Sequence, residues 1–151
     1  MATLANKNPS PRTAQGKDTS VMAWIEDPYG HILMVKQTAG KKLWTLPGGK
    51  VRRHESLLSA LRREVHEETG LSVSVASQVD LFDRYQKGNL TILFRVLIKK
   101  QTPTRSKKRA LEISDSAYKS TLPVASTPSA RFFWKRAQHS FEPLSLISTP
   151  G

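Results

Sequence analysis

Between Pro47-Gly48-Gly49 and Gly70 the chain has room for one helix and little else. Proline beside two glycines forces a turn at the first boundary, and a glycine directly after a periodic run is where a helix stops. Inside these limits Leu58, Leu61 and Val65 recur at three- and four-residue spacing. The segment therefore predicts a helix from Ser56 to Thr69, opened by Glu55 or Ser56. On that helix Glu64, Glu67 and Glu68 stand at i, i+3 and i+4, which sets three carboxylates on one side. Like charges at such spacing destabilise a helix by ~0.2–0.5 kcal/mol per pair, and acids near its C-terminal end oppose the helix dipole. Two readings offset these penalties. Arg62 and Arg63 can pair with the glutamates on a solvated face, Arg63 and Glu67 being four apart. Alternatively, a hard divalent cation draws the carboxylates together, as Mg²⁺ does with one or two carboxylates and substrate phosphates.

Around this helix the chain reads mainly as strands. Val21 to Ile25 and His31 to Val35 are rich in β-branched and large apolar residues, and Asp27-Pro28-Tyr29-Gly30 between them carries the residues of a type I turn. The pair predicts a hairpin. Strands are also predicted at about Ser72 to Tyr85 and Leu90 to Ile98, joined by Gln86-Lys87-Gly88-Asn89, and a short one from Glu112 to Lys119. Pro128 to Gln138 predicts a second helix, with Pro near its start and Phe132, Phe133 and Trp134 available to a core. Strands mixed with two helices predict an α/β or α+β sandwich.

The 151 residues suit one domain, placed at 18–140 between a flexible tail at 1–17 and a loosely ordered tail at 141–151. The longest apolar stretches fall far short of the roughly 20 residues of a membrane-spanning helix. Cysteine is absent, which excludes disulfides, thiolate metal sites and a cysteine nucleophile, and suits a cytoplasmic setting. A formal charge of +12 draws the chain toward polyanions. Lys99 to Arg109 is basic without an acid, either an exposed loop or an RNA-phosphate contact.

Taken together, Gly49, five residues, Glu55, seven residues and then Arg63-Glu64-Val65-His66-Glu67-Glu68-Thr69-Gly70-Leu71 resemble the Nudix box at every specified position. The approach, Leu43 to Gly49, and the segment Leu122 to Phe133 also resemble MutT-like members of the Nudix hydrolase family. The resemblance implies the Nudix fold, a mixed β-sheet sandwiched between α-helices. It further implies a pyrophosphatase: hydrolysis of a pyrophosphate bond in a nucleoside diphosphate-linked substrate, with Mg²⁺ or Mn²⁺. Such substrates include a nucleoside triphosphate, an oxidised nucleotide, ADP-ribose and a dinucleoside polyphosphate. By motif position Glu64, Glu67 and Glu68 resemble the metal ligands, Arg63 the arginine that orients a catalytic glutamate, and Glu55 the first glutamate of the box. Gly49 and Gly70 resemble its structural glycines. The general base is expected at Glu64, with Glu112 as a second candidate.

Where family members commonly carry an acid and a glycine before the first glutamate, this chain has Arg52-Arg53-His54. Lys36 and Lys50 are candidate phosphate contacts, and Trp44, Phe82 and Tyr85 candidate stacking partners, each with a structural role as the alternative. An RNA 5′-end pyrophosphohydrolase and a non-catalytic nucleotide-binding module are the competing functions; the resemblance also admits a homodimer.

Overall fold

The computed structural model describes residues 18–101 and 112–148, apart from the side chains of 139–148. The tail at 1–17, the basic run beyond Gln101 and the closing residues 149–151 lie outside the described residues. The element order is β1 (Asp18–Trp24), β2 (Ile32–Gln37), β3 (Trp44–Thr45), β4 (Gly48–Lys50), α1 (Leu57–Thr69), β5 (Leu71–Arg84), β6 (Asn89–Gln101), β7 (Ile113–Lys119) and α2 (Pro128–Ser148).

Two sheets form, one ordered β4-β1-β6-β5 and the other β3-β2-β7. The first is mixed: β1 runs parallel to β6 and antiparallel to β4. Central strands are apolar on both faces, because each face meets a helix. Val21, Ala23 and Ile25 join Leu61 and Val65 of α1 in one core. Trp24 and the partly buried Met22, on the opposite face of β1, join Phe133 and Trp134 of α2 in another. The sheets are thus sandwiched between helices, an α+β architecture as expected.

The expected hairpin is a correction. Its turn forms, with Gly30 N–H donating to Asp27 O at 3.0 Å and the Asp27 carboxylate accepting from Tyr29 and His31 N–H. Strand pairing, however, is confined to the bridge between Glu26 and Ile32, beside a bond from Leu33 N–H to Ile25 O. Both edges of β1 are taken by β4 and β6, so β2 leaves to build the second sheet.

Helix α1 has the expected bounds. Ser56 caps it, its hydroxyl accepting from Ser59 N–H at 3.1 Å, and Gly70 ends it at φ 78°. The second helix continues past the expected Gln138 to Ser148.

Candidate active site

Leu61, Glu64, Val65 and Glu68 share one face of α1, so the stripe that packs the helix also carries two acids inward. Glu64 is 4% exposed and Glu68 2%. Burial of this depth is rare for glutamate unless the carboxylate is met by other groups. Gly48 donates its N–H to Glu68 at 3.1 Å, tying the short strand β4 to the helix. A Cβ added at Gly49 would run into the Glu64 carboxylate, so only glycine leaves that group its place. At Gly48 an added Cβ would meet the Val21 carbonyl, and φ of 155° further favours glycine.

Arg63 organises the acids from beside them. Its Nε and Nη2 donate to the two Glu55 oxygens at 2.8 Å each, and Nη2 also donates to Lys50 O at 3.2 Å. Its Nη1 lies 3.2 Å from Glu64 and 3.4 Å from Glu67. The Arg63 fork, opposed by burial and aided by the Arg52 N–H, holds the Glu55 carboxyl down at about 2. In turn Glu55 raises the Arg63 pKa further above its ordinary value.

Glu64 and Glu68 line a cleft of about 850 Å³, whose rim also carries Glu112, Lys41 and Lys50. The structure therefore brings Glu112 to the same cleft as the helix acids, although β7 belongs to the other sheet. Glu67 does not line it and turns to Arg63 instead. Among the described residues no three His, Asp or Glu side chains gather closely enough to enclose a cation by themselves. Two carboxylates opening on a cleft are nonetheless a donor set suited to Mg²⁺, which completes its shell with water and phosphate oxygens.

Of the expected substrate contacts, Lys50 lines the cleft, whereas Lys36, Trp44 and Tyr85 do not. The Trp44 ring is engaged by Lys119, whose Nζ stands 4.0 Å from its centre, with Lys36 at 6.0 Å. Phe82 stacks on Phe132 at 4.3 Å and belongs to the core; Tyr85 is 70% exposed on a short turn after β5. Residues the sequence did not single out also line the cleft, among them Gln37, Thr45 and Gly48. Strand alternation marks one face of β2 but not which sheet β2 joins, so their convergence on Glu68 lacks a local signal.

A carboxylate-bearing helix set against a glycine strand, inside a two-sheet α+β sandwich, defines the class. The NUDIX domain model matches residues 16–115, and the chain belongs to the Nudix family. Over 33 residues the chain is 52% identical to the 8-oxo-dGTP diphosphatase of Buchnera aphidicola subsp. Acyrthosiphon pisum (strain APS), covering 22% of this chain and 27% of that protein. Over 58 residues it is 36% identical to the RNA pyrophosphohydrolase of Cellvibrio japonicus (strain Ueda107), covering 38% and 34%. The matched stretches thus span only about a quarter to a third of these curated relatives. Among solved structures, a NUDIX hydrolase from Nitrosomonas europaea superposes with a TM-score of 0.68 at 20% identity, covering 82% of this chain and 89% of that one. An ADP-ribose pyrophosphatase from Streptococcus suis 89-1591 gives 0.62 at 23%, covering 82% and 92%. At these identities the likeness is one of fold.

Proposed function

We propose that the chain hydrolyses a pyrophosphate bond in a nucleoside diphosphate-linked substrate, a nucleoside triphosphate, oxidised nucleotide, ADP-ribose or dinucleoside polyphosphate, with Mg²⁺ or Mn²⁺ as cofactor. The observation that carries this reading is the burial of Glu64 and Glu68 on a helix face that opens into the 850 Å³ cleft. Two acids confined so closely are costly to fold unless they serve a cation, and a pure binding module has no use for them. When bound, a divalent cation would neutralise phosphate charge and acidify a coordinated water.

Glu64 and Glu68 are its proposed ligands, with Glu67 completing the set if it swings from Arg63. Arg63 orients Glu64 and, through Glu55, anchors the loop that leads into α1. Glu64 is the proposed general base, accepting a proton from the attacking water, and Glu112 is the second candidate on the facing rim. Lys41 and Lys50 draw the phosphate chain into the cleft. A cytoplasmic setting follows from the cysteine-free composition and the nucleotide substrate.

A second reading, hydrolysis at an RNA 5′ end, draws on the +12 charge and on the exposed Lys41, Lys42, Arg52 and Arg53 around the box. A phosphate-release screen over nucleotides, ADP-ribose and 5′-triphosphorylated RNA separates the two. RNA as sole substrate, with rates falling steeply in salt, selects the second; turnover of free nucleotides selects the first.

A further inference from the structure

β1, β6 and β5 lie side by side, and their pairing sets Asp18 against Asn89 and Asn89 against Arg84 in one row across the sheet. Two residues inward the next row is Ser20, Thr91 and Phe82, and the row beyond it pairs Met22 with Leu93. Alternation places all of these on one face. Where α2 covers that face it is apolar, Met22, Leu93 and Phe82 packing with Phe133. Beyond the start of α2 it becomes polar and floors a second cleft of about 380 Å³, which continues into the larger one at Gly48, Gly49 and Lys50.

Two observations mark this compartment as built for a polar ligand. Thr91 is only 7% exposed and lines the cleft, yet no hydrogen bond joins its hydroxyl to another described side chain or backbone group. By contrast, the Thr127 hydroxyl in the same wall donates to Thr45 at 3.0 Å. A buried hydroxyl without a partner costs stability unless something else supplies one. Second, the outer row sets a carboxylate, an amide and a guanidinium in sequence, an acceptor pair followed by donors. Asp18 also stands 4.0 Å from Lys50, an exposed contact that a ligand can displace. No aromatic ring lines the cleft among the described residues, and Met22, Leu46 and Pro128 are its apolar surfaces.

We infer that this compartment reads the edge of a nucleobase and that the row Asp18, Asn89 and Arg84, with Thr91, selects guanine. The inference rests on the larger cleft being the site of nucleotide hydrolysis. A carboxylate is satisfied by two adjacent donors, which guanine offers in N1–H and its 2-amino group, with O6 beside them for an amide or guanidinium. Adenine and cytosine each turn a ring lone pair toward the carboxylate beside their amino group. Uracil has a single N–H between two carbonyls.

The test is equilibrium binding of GTP, ITP, ATP, CTP and UTP to the full chain in EDTA, so that affinity is read without turnover. GTP is expected to bind at least roughly tenfold more tightly than ATP, the worth of one charge-assisted hydrogen bond, with ITP, which lacks the 2-amino group, between them. Asp18→Asn is expected to abolish that preference while leaving ATP affinity within about twofold. Thr91→Val is expected to weaken GTP binding without lowering the melting temperature, a split that a structural hydroxyl would not show. Equal affinity for all five nucleotides, or an Asp18→Asn variant that weakens all of them alike, overturns the inference. Base-selective binding without hydrolysis of any nucleotide would sink the reaction and leave the base site standing; hydrolysis without base preference does the reverse.

Discussion

Arg63 holds Glu55 through two N–H···O bonds of 2.8 Å, Nε to Oε2 and Nη2 to Oε1, while its third nitrogen rests 3.2 Å from Glu64. One guanidinium thereby joins the loop before α1 to the acid face of the helix. Both partners are mostly shielded from water, so removing one leaves the other poorly satisfied. Glu55→Ala is expected to lower unfolding free energy by about 2 kcal/mol, and Arg63→Lys by about 1 kcal/mol because an ammonium cannot form the fork. Urea denaturation checks this; unchanged midpoints for both variants would show that the pair carries no stability.

The same pair sets a pH response. The Glu55 carboxyl is depressed from 4.5 to about 2, so the folded state favours its charged form. Its stabilising contribution is complete above the unfolded value and is lost as pH falls through about 2. Stability of the native chain is expected to decline between those limits, and Glu55→Gln to flatten the decline while lowering stability at neutral pH. Denaturation midpoints across that range in both proteins decide it.

Gly48 and Gly49 are expected to fail in different ways. At Gly48 an added Cβ meets fixed backbone, so Gly48→Ala is expected to destabilise the fold by about 2 kcal/mol or more. At Gly49 it meets the end of the Glu64 side chain, which can swing aside. Gly49→Ala is therefore expected to cut turnover at least about tenfold, since misplaced catalytic groups are penalised heavily, at a stability cost of less than about 1 kcal/mol. Thermal melts and rates measured on both variants separate these effects; the reverse pattern would contradict the geometry.

His54 sits at φ 64°, in the left-handed region that glycine occupies freely. Its exposed side chain offers little packing in return. His54→Gly is expected to stabilise the chain by about 0.5–1 kcal/mol, the relief of left-handed strain less the added freedom of the unfolded state. A lower melting temperature would show that His54 makes a contact worth more than the strain.

Helix α1 was legible in the sequence because its signals are local: Ser56 and Gly70 cap it, and Leu61 and Val65 mark its buried side. The Nudix box is also contiguous, so the family could be read from residues. What lay beyond reach depends on which strands become neighbours. Asp27 to Gly30 forms its turn, but the choice between a hairpin and two sheets is made by the competition of β4 and β6 for the edges of β1. The same competition delivers Gly48 to Glu68, twenty positions away, and Glu112 to the cleft. Aromatic content was a poor guide, because Trp44 and Phe82 carry the same residue-level signature whether they stack on a base or, as here, on Lys119 and Phe132. Glu67 shows the limit of helical spacing: it shares a side with Glu64 and Glu68, yet a rotation of about 60° between it and its neighbours turns it to Arg63 rather than into the cleft.

The central claim is that Glu64 and Glu68 serve metal-dependent cleavage of a pyrophosphate bond. The most direct measurement is phosphate and pyrophosphate release from nucleoside triphosphates, ADP-ribose and dinucleoside polyphosphates with Mg²⁺, by the native chain and by Glu64→Gln and Glu68→Gln variants shown to be folded. The account expects turnover by the native chain that EDTA abolishes, and losses of at least about a hundredfold in each variant. Full activity in both variants, or no turnover of any substrate by the native chain, would contradict it.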